Sequence, residues 1–297
     1  MKVLNFGSLN IDRVYQTPHI VRPGETLSSA RMDTFAGGKG LNQSIALARA
    51  GVPVAHAGKV GEDGAFLLEL LAQSGADVSQ VGRSPQPTGH AVIQVEPGGQ
   101  NCILLFGGAN QDISPQDVDA ALAGLERGDV LLLQNEISSL DYLLGQAGAR
   151  GLRVALNPSP ISPALLRCEL GAVRWFLLNE IEGAALSGEQ EPEAICRALR
   201  AKYPGSTVVL TVGSKGAYCD DGSGLCHCPA FETNVVDTTA AGDTFTGYFL
   251  SGVLAGLPAA ACLRLGCAAS TLAVSRPGAA PSIPLRAEVD AFMATLG

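Results

Sequence analysis

The sequence predicts an α/β protein with three layers, in which a mostly parallel central sheet lies between two layers of helices. Short aliphatic runs alternate along the chain with segments of helical periodicity, and glycine-containing turns separate them. The aliphatic runs are rich in valine and leucine and show no polar alternation, which is typical of strands buried on both faces. Strands that alternate with helices favour parallel pairing, and right-handed crossovers then place the functional loops at the carboxyl ends of the strands.

The predicted elements follow this rhythm from the first residues onward. Strands of the central sheet are predicted at residues 2–6, 52–57, 130–133, 154–156, 175–178 and 208–212. Helices are predicted at residues 41–50, 65–73, 139–149, 192–203, 241–255 and 258–274. The last two helices are rich in alanine and leucine.

Two regions break the rhythm and predict a second, smaller sheet. Residues 13–35 carry prolines and a glycine between alternating segments at 13–16 and 29–35. Residues 88–106 are typical of a hairpin, with strands at 90–96 and 101–106 around Pro97-Gly98-Gly99. These four strands do not fit a parallel sheet, so we expect them to form a β-sheet lid over an active site. Because no repeat or long linker divides the chain, we expect a single domain over residues 1–297.

Composition narrows the class of protein. Of the 297 residues, 46% are hydrophobic and 16% are charged, which is ample for a large core and untypical of disorder. The net charge of −8 argues against a nucleic-acid partner. The apolar run at the start of the sequence is too short for a signal peptide, and no apolar run has the length of a membrane helix. We therefore expect a cytoplasmic protein without a membrane partner.

The eight cysteines are irregularly spaced, which suits a reducing compartment. Their one cluster is Cys219 with Cys226-His227-Cys228. A zinc site is conceivable there, but adjacent ligands strain tetrahedral geometry and the alternation indicates a strand. We therefore favour ordinary strand residues.

The stretch at residues 237–243 places two carboxylates, Asp237 and Asp243, six residues apart. Only small or uncharged residues lie between them. The small side chains leave the amides of Ala240, Ala241, Gly242 and Asp243 free to face one anion at the start of a helix. Asp243 in the first helical turn can accept a proton from an attacking hydroxyl. A simple helix cap is the alternative, but a cap does not require the second acid, the alanines and the glycine together.

Two further loops carry polar groups that suit a small ligand. The stretch Gly37-Gly38-Lys39-Gly40-Leu41-Asn42-Gln43 opens a helix and offers Lys39 and Asn42 as donors, without the spacing of a P-loop; a glycine-rich turn with a solvated lysine is the alternative. Asn10 and Asp12 follow the first strand, where they can bind hydroxyl groups or simply cap a turn. Only Gly7 of a dinucleotide-binding glycine series is present there, which argues against a nicotinamide enzyme.

Two strand ends complete the candidate site. The turn at residues 211–216, Thr-Val-Gly-Ser-Lys-Gly, is compact enough to hold phosphates or a ribose through backbone contacts. Asn179-Glu180-Ile181-Glu182 follows another strand, and Glu182 can act on magnesium through water because that ion keeps much of its hydration shell. Each signal is weak alone.

Taken in this order, the segments resemble the ribokinase-like family of carbohydrate kinases. The resemblance runs from residue 5 to about residue 291, and residues 37–43 and 237–245 are its most specific parts. Segments 7–12, 23–26, 107–110 and 277–282 support it. The family fold is a central sheet between helices with a β-sheet lid, in agreement with the elements predicted above.

The resemblance implies a reaction and a role for each site residue. It implies transfer of the γ-phosphoryl group of ATP, with Mg²⁺, to the primary hydroxyl of a sugar, D-ribose being the expected acceptor. The implied catalytic residues are Asp243 as the base and Ala240, Ala241 and Gly242 as the anion hole. The implied sugar-binding residues are Asn10, Asp12, Gly38, Lys39, Gly40, Leu41, Asn42, Glu136 and Asp243. The implied nucleotide-binding residues are Asn179, Thr211, Val212, Gly213, Ser214, Lys215, Gly216, Gly242 and Cys267, the last at a place where the family often has a histidine.

The resemblance also implies metal ions and an oligomer. Glu182 would help to hold Mg²⁺, and family lids often pair two chains into a homodimer. A monovalent cation would lie beside the anion hole, at positions Asp237, Thr239, Ala273, Arg276, Gly278 and Ser282. Oxygen ligands with a single carboxylate suit K⁺ better than Mg²⁺, which demands tight octahedral geometry.

Other functions remain open from the sequence. The acceptor can be another pentose, a ketohexose or a nucleoside, and a nucleoside would need an apolar slot for its base. A non-catalytic sugar-binding regulator on the same fold is a further alternative. The intact Asp243 and its anion-hole sequence argue against it, since a pure binder needs no base.

Overall fold

A nine-stranded sheet forms the centre of the molecule. The computed structural model describes residues 1–296. The strands are β1 Val3–Phe6, β4 Ala55–Val60, β5 Asp77–Arg83, β8 Val130–Gln134, β9 Arg153–Asn157, β10 Val173–Asn179, β11 Thr207–Thr211, β12 Ala217–Asp220 and β13 Leu225–Cys228. Their order is β13-β12-β11-β10-β9-β8-β1-β4-β5. All pairs from β5 to β11 are parallel, and only β12 and β13 at one edge are antiparallel.

Helices cover both faces of this sheet, which confirms the predicted three layers. The helices are α1 Lys39–Arg49, α2 Ala65–Gln73, α3 Pro115–Leu122, α4 Leu140–Arg150, α5 Glu180–Ser187, α6 Pro192–Lys202, α7 Ala241–Leu254, α8 Ala259–Val274 and α9 Arg286–Thr295. One buried cluster joins the sheet to α3–α6, and a second joins its other face to α1, α2, α7 and α8. Within residues 1–296, no helix combines the length and the apolar character that crossing a membrane would require.

The predicted lid is present as a separate four-stranded sheet. Its strands are β2 Asn10–Gln16, β3 Arg31–Gly37, β6 Gly89–Val95 and β7 Asn101–Phe106, in the order β3-β2-β6-β7. β2 begins at Asn10, so Asn10 and Asp12 lie on the lid rather than in a loop at the end of β1, as the sequence had indicated. The reason is that the chain needs only residues 7–9 to pass from the central sheet into the lid.

Several elements were not predicted, and each lacks a clear apolar pattern. β5 is a polar edge strand, Asp-Val-Ser-Gln-Val-Gly-Arg, and α5 begins directly after the last residue of β10 with no turn between them. The strand predicted at 52–57 begins later, at Ala55. Cys219 and Cys226 face each other across the β12–β13 hairpin, so the cysteine cluster consists of strand residues, as favoured.

Close packing of α1 against α7 aligns the two helices that carry the candidate site. Gly247 permits this approach, because a Cβ atom there would lie 2.4 Å from Cβ of Ala46 and 2.8 Å from the amide nitrogen of Leu47. Real Cβ atoms do not come so close, so any side chain at position 247 must push the helices apart. The glycine therefore sets the distance between the C-terminal half of α1 and the middle of α7.

We expect Gly247→Ala to destabilise the protein by about 1–3 kcal/mol, the usual cost of overpacking a tight core. The matched control is Gly145→Ala on α4, where an added Cβ meets no atom within 4 Å. That control should stabilise the protein by about 0.5–1 kcal/mol, since alanine loses less backbone entropy in a helix. Urea unfolding of both variants checks the difference. Equal shifts of the two midpoints would contradict the role of Gly247.

Candidate active site

The predicted site residues converge at the carboxyl edge of the parallel strands. Two adjoining cavities open there, one of about 220 Å³ and one of about 500 Å³. Both are lined by residues at the end of β11 and the start of α7, namely Thr211, Thr238, Ala241, Gly242 and Phe245. Ligands of open α/β sheets bind at this edge, where the strand order reverses on either side of β1.

Asp243 lies in the first turn of α7 and is nearly buried, with 7% of its surface exposed. Both of its carboxylate oxygens accept hydrogen bonds from α1. Asn42 Nδ2 lies 3.1 Å from Oδ2, and Gln43 Nε2 lies 2.8 Å from Oδ1. The N-terminus of α7 also favours a negative charge at this position. The carboxylate is thus held in one orientation while it lines the smaller cavity.

Gln43 has a structural partner that the sequence analysis did not find. Its Oε1 accepts a hydrogen bond of 2.7 Å from Gln134 Nε2, and the same nitrogen donates at 3.0 Å to Asn5 Oδ1. All three side chains are fully buried. Gln43 stood inside a quoted motif without a role, and Gln134 gave no signal because its partner is 91 residues away in sequence. The network fixes the amide that holds Asp243.

The turn before α7 presents free backbone amides. Ala240 caps the helix in the left-handed region, with φ of 58°, and its carbonyl accepts the Thr244 amide at 2.8 Å. The Ala241 amide, one of four assigned to the anion hole, donates instead to the Thr238 carbonyl at 3.2 Å. In residues 1–296, no protein acceptor takes the amides of Ala240, Gly242 or Asp243. These three remain for an anion.

Across the smaller cavity, lid residues and the start of α1 form a polar pocket. Glu136 accepts the Lys39 amide at 3.0 Å and also the hydroxyl of Ser8. Asn10 is oriented by Asn110, whose Nδ2 lies 2.7 Å from Asn10 Oδ1. Ser8 and Asn110 had no predicted role, and both act here by fixing a predicted residue.

Gly40 allows this assembly, because a Cβ at that position would lie 2.4 Å from the amide nitrogen of Ser8. Leu41, also predicted for this pocket, is fully buried in the core cluster under α1, so only its backbone can contribute. Gly38 is the N-cap of α1. The glycines of the motif therefore bring backbone against backbone at the floor of the pocket.

The charged side chains of this pocket affect one another's pKa values, and Lys39 is the cation among them. Burial, with the negative charge of Glu136, raises the pKa of Asp12 to about 6. Burial also raises the pKa of Glu136, although Lys39 and the hydrogen bonds act against it. Burial works to lower the pKa of Lys39, but the charges of Asp243, Glu136 and Glu182 together hold it above its usual value. Lys39 therefore keeps its charge and balances the surrounding carboxylates.

The larger cavity contains most of the residues predicted for a nucleotide. Its lining includes, in addition to the shared residues, Gly213, Ser214, Gly216, Phe231, Cys267 and Thr271. Val212 is buried beneath the turn, and the Lys215 carbonyl accepts a hydrogen bond from His227 at 2.9 Å, so neither side chain is part of the lining. The turn at 213–216 is closed by the Val212 amide, which donates to the Gly216 carbonyl at 2.8 Å.

Asn179 and Glu182 form a capping box at the start of α5 and line the smaller cavity. Glu182 accepts the Asn179 amide at 2.9 Å and Asn179 Nδ2 at 3.0 Å, and it is 4% exposed. Asn179 thus lies beside the smaller cavity, not the larger one. Because Mg²⁺ keeps much of its hydration shell, a carboxylate on the cavity wall suits contact with the hydrated ion through water.

The loop after α8 lies against the turn before α7. Asp237 Oδ1 accepts the amide and hydroxyl of Thr239 at 2.9 and 2.6 Å, and Oδ2 accepts the Gly278 amide at 2.9 Å. The Arg276 guanidinium is paired with Glu288 at 2.7 Å, so only its carbonyl can serve a cation. Ala273 is buried in the last turn of α8, and Ser282 is buried on the loop that follows, where its hydroxyl donates to the Ala279 carbonyl. The structure therefore brings the two halves of the predicted cation site together.

The chain was compared with known proteins. The family model for pfkB family carbohydrate kinases matches residues 1–286. A ribokinase from Haemophilus influenzae is 35% identical over 297 residues, which cover 97% of this chain and 96% of that protein. The crystal structure of a ribokinase from Cryptococcus neoformans in complex with ADP has a TM-score of 0.85 and 34% identity, covering 98% of this chain and 99% of the other.

The structure of Arabidopsis thaliana ribokinase complexed with ribose and ATP is also similar, with a TM-score of 0.84, 30% identity and 98% of each chain covered. These similarities extend over the central sheet, the lid and both cavities. The chain therefore belongs to the pfkB family of carbohydrate kinases and is an ATP-dependent sugar kinase.

Proposed function

We propose that this kinase transfers the γ-phosphoryl group of ATP to the primary hydroxyl of D-ribose and forms ribose 5-phosphate. The observation that carries the proposal is the position of Asp243, a fixed carboxylate between a polyol-binding pocket and a turn with free amides. Similarity to ribokinases over nearly the whole chain, one of them solved with ribose and ATP, supports ribose as the acceptor.

The pocket offers hydrogen-bond partners for several hydroxyl groups of a pentose. Asn42 Oδ1 is buried and has no partner within residues 1–296, so it can accept a sugar hydroxyl without losing an existing bond. Asp12 and Glu136 are further acceptors, and Lys39 is a donor. A neutral polyol suits these groups because each hydroxyl can donate to a carboxylate and accept from the lysine.

The phosphoryl transfer itself needs a base and stabilisation of negative charge. Asp243 accepts the proton of the sugar's primary hydroxyl while the hydroxyl oxygen attacks the γ-phosphorus. The bond from that phosphorus to the bridging oxygen of ADP then breaks. The amides of Ala240, Gly242 and Asp243 face the charge that develops on the transferred group. These amides do not have to reorient during the transfer, because the turn and the helix already fix their direction.

The metal ions also belong to the proposal. Glu182, on the wall of the smaller cavity, would hold Mg²⁺ through water, and Mg²⁺ bound to ATP would neutralise phosphate charge. A K⁺ ion would be held by Asp237 and by carbonyl oxygens of Thr239, Ala273, Arg276 and Gly278, with Ser282 beneath. The carboxylate retains lone pairs for such an ion, since it accepts three hydrogen bonds and offers about four sites.

The proposal also covers a homodimer, a cytoplasmic location and a single domain with a lid. The lid strand β7 exposes Ile103, Leu104, Leu105 and Phe106, a row of apolar side chains that a homodimer formed through the lids would cover. A cytoplasmic location is supported by the need for ATP and by eight cysteines that are all free thiols. The single domain with a lid remains our interpretation of the two sheets.

With ATP and Mg²⁺, we expect turnover of ribose to exceed that of 2-deoxyribose, fructose and adenosine, because Asp12, Glu136 and Asn42 suit a polyol. A coupled assay of ADP release measures this, and phosphorus NMR locates the phosphate on the product. The assignment of ribose as the acceptor would be wrong if the enzyme turned over only the nucleoside, or none of these four compounds.

Asp243→Asn should lower kcat by about 10²–10⁴-fold, the usual loss for a general base, while ribose binding persists. The shape of the side chain is kept, while the proton acceptor is lost together with the acceptor for one of the bonds from Asn42 and Gln43. Initial rates and calorimetry check both halves. Asp290→Asn on the exposed face of α9 is the control and should behave as wild type. A rate for Asp243→Asn within about threefold of wild type, below the range for losing a base, would reduce Asp243 to a helix cap.

At fixed ionic strength we expect K⁺ to activate more than Na⁺, and Asp237→Ala to lose most of this activation. The reason is that a cation beside the turn would fix the amides that face the phosphate. Asp221→Ala is the matched control, because Asp221 binds the amide and hydroxyl of Ser223 at 2.9 and 2.6 Å in the same way as Asp237 binds Thr239. Equal rates in both salts, for wild type and Asp237→Ala, would show that Asp237 only shapes the turn.

A further inference from the structure

Two cysteines meet at the edge of the larger cavity. Cys267 on α8 lines the cavity and is 5% exposed, whereas Cys228 ends β13 and is partly exposed. Sγ of Cys267 donates a hydrogen bond to the Cys228 carbonyl oxygen at 3.9 Å, and Sγ of Cys228 donates to the Pro229 carbonyl oxygen at 3.5 Å. The pair therefore combines a thiol that solvent can reach with a second thiol directly behind it.

The surroundings make the two thiols chemically unequal. The neighbouring Cys267 side chain, against the effect of burial and with help from the Arg264 guanidinium, lowers the pKa of Cys228 to about 7. Arg264 is held in place over the Phe231 ring, 5.7 Å from its centroid. The neighbouring Cys228 side chain and burial raise the pKa of Cys267. Cys228 is thus the nucleophile near neutral pH, and Cys267 is a protonated neighbour.

We propose that Cys228 and Cys267 form an oxidation site, at which a peroxide converts the two thiols into a disulfide that weakens nucleotide binding. The Cys228 thiolate attacks one oxygen of hydrogen peroxide, the O–O bond breaks, and a sulfenic acid and hydroxide form. Cys267 then gives up its proton and its sulfur displaces hydroxide from the sulfenic sulfur. The two thiols lose two electrons in total, and one peroxide becomes two waters.

The disulfide acts on the cavity through two contacts. A sulfur–sulfur bond of about 2.05 Å takes both thiols out of their present hydrogen bonds and ties α8 covalently to the end of β13. Gly216, on the turn that lines the cavity, packs so tightly here that an added Cβ would lie 2.0 Å from the Cys228 carbonyl oxygen. Movement of β13 is therefore passed to this turn, while movement of α8 displaces Cys267 in the lining itself.

The other cysteines favour this pair as the site of reaction. Burial raises the pKa of Cys219, Cys226 and Cys262, which leaves them mainly as thiols at neutral pH. Cys102 is exposed on the lid strand β7, where it would form bonds between molecules rather than within one. Replacing Cys102 by serine removes that side reaction without touching either cavity.

The experiment uses the full chain with Cys102→Ser as the background. The protein is treated with hydrogen peroxide, remaining thiols are alkylated, and peptide mass mapping identifies the bond; calorimetry then measures the Kd for ADP. We expect a Cys228–Cys267 link and a Kd raised by at least about tenfold, equivalent to about 1.4 kcal/mol, with recovery in dithiothreitol. Saturating ADP added before the peroxide should slow the reaction.

Cys228→Ser is the variant that decides the mechanism, because residue 228 lies outside the cavity lining. It should keep the Kd of the reduced protein and show no change after peroxide. Absence of the 228–267 link, an unchanged Kd in protein that carries it, or an equal loss in Cys228→Ser would each overturn the proposal. The effect on affinity depends on the proposed nucleotide site: reduced protein that binds no ADP would refute that site, whereas the mass map still tests the disulfide.

Discussion

The hydrogen bonds from α1 to the Asp243 carboxylate are the interaction on which the rest of the site depends. A carboxylate this buried is costly unless it is hydrogen-bonded, since an unpaired ion inside a protein loses several kcal/mol of solvation. Asn42 and Gln43 supply the bonds, and the N-terminus of α7 supplies a favourable dipole. Both helices must be at the right separation for this, which is why their contact is made through Gly247.

The hydrogen-bond network that holds Asp243 extends to the central strands of the sheet. Gln43 can donate to Asp243 in one direction only, because its oxygen is already taken by Gln134 at the end of β8 and that residue is bonded to Asn5 on β1. Two neighbouring strands therefore determine the orientation of an amide on a helix. In a buried network each member is costly to leave unpaired, so the arrangement favours one geometry of the Asp243 carboxylate over its alternatives.

The sequence predicted the layers, because these rest on local patterns, and its site residues stay a prediction that the fold brings together at one edge of the sheet. Aliphatic runs identify buried strands, and small residues before an acid at a helix start identify an anion site. The roles of Gln43, Gln134 and Asn110 could not be found this way, since each depends on a partner far away in sequence. The placement of Asn10 and Asp12 on the lid was also missed, because the sharp passage from β1 to β2 shows no proline or turn motif.

The distribution of charge within the site explains how a protein of net charge −8 can bind two different substrates. The polyol pocket is acidic, with Asp12, Glu136 and Asp243 around Lys39, and this suits a neutral molecule that donates many hydrogen bonds. The larger cavity has only one charged side chain in its lining, Glu232, and joins the acidic pocket at the turn of free amides. On the proposed mechanism, an anionic nucleotide would be received here by backbone dipoles rather than by basic side chains. Because those dipoles lie at the junction, they would draw the transferring phosphate towards the one place where the sugar hydroxyl and Asp243 can also reach it.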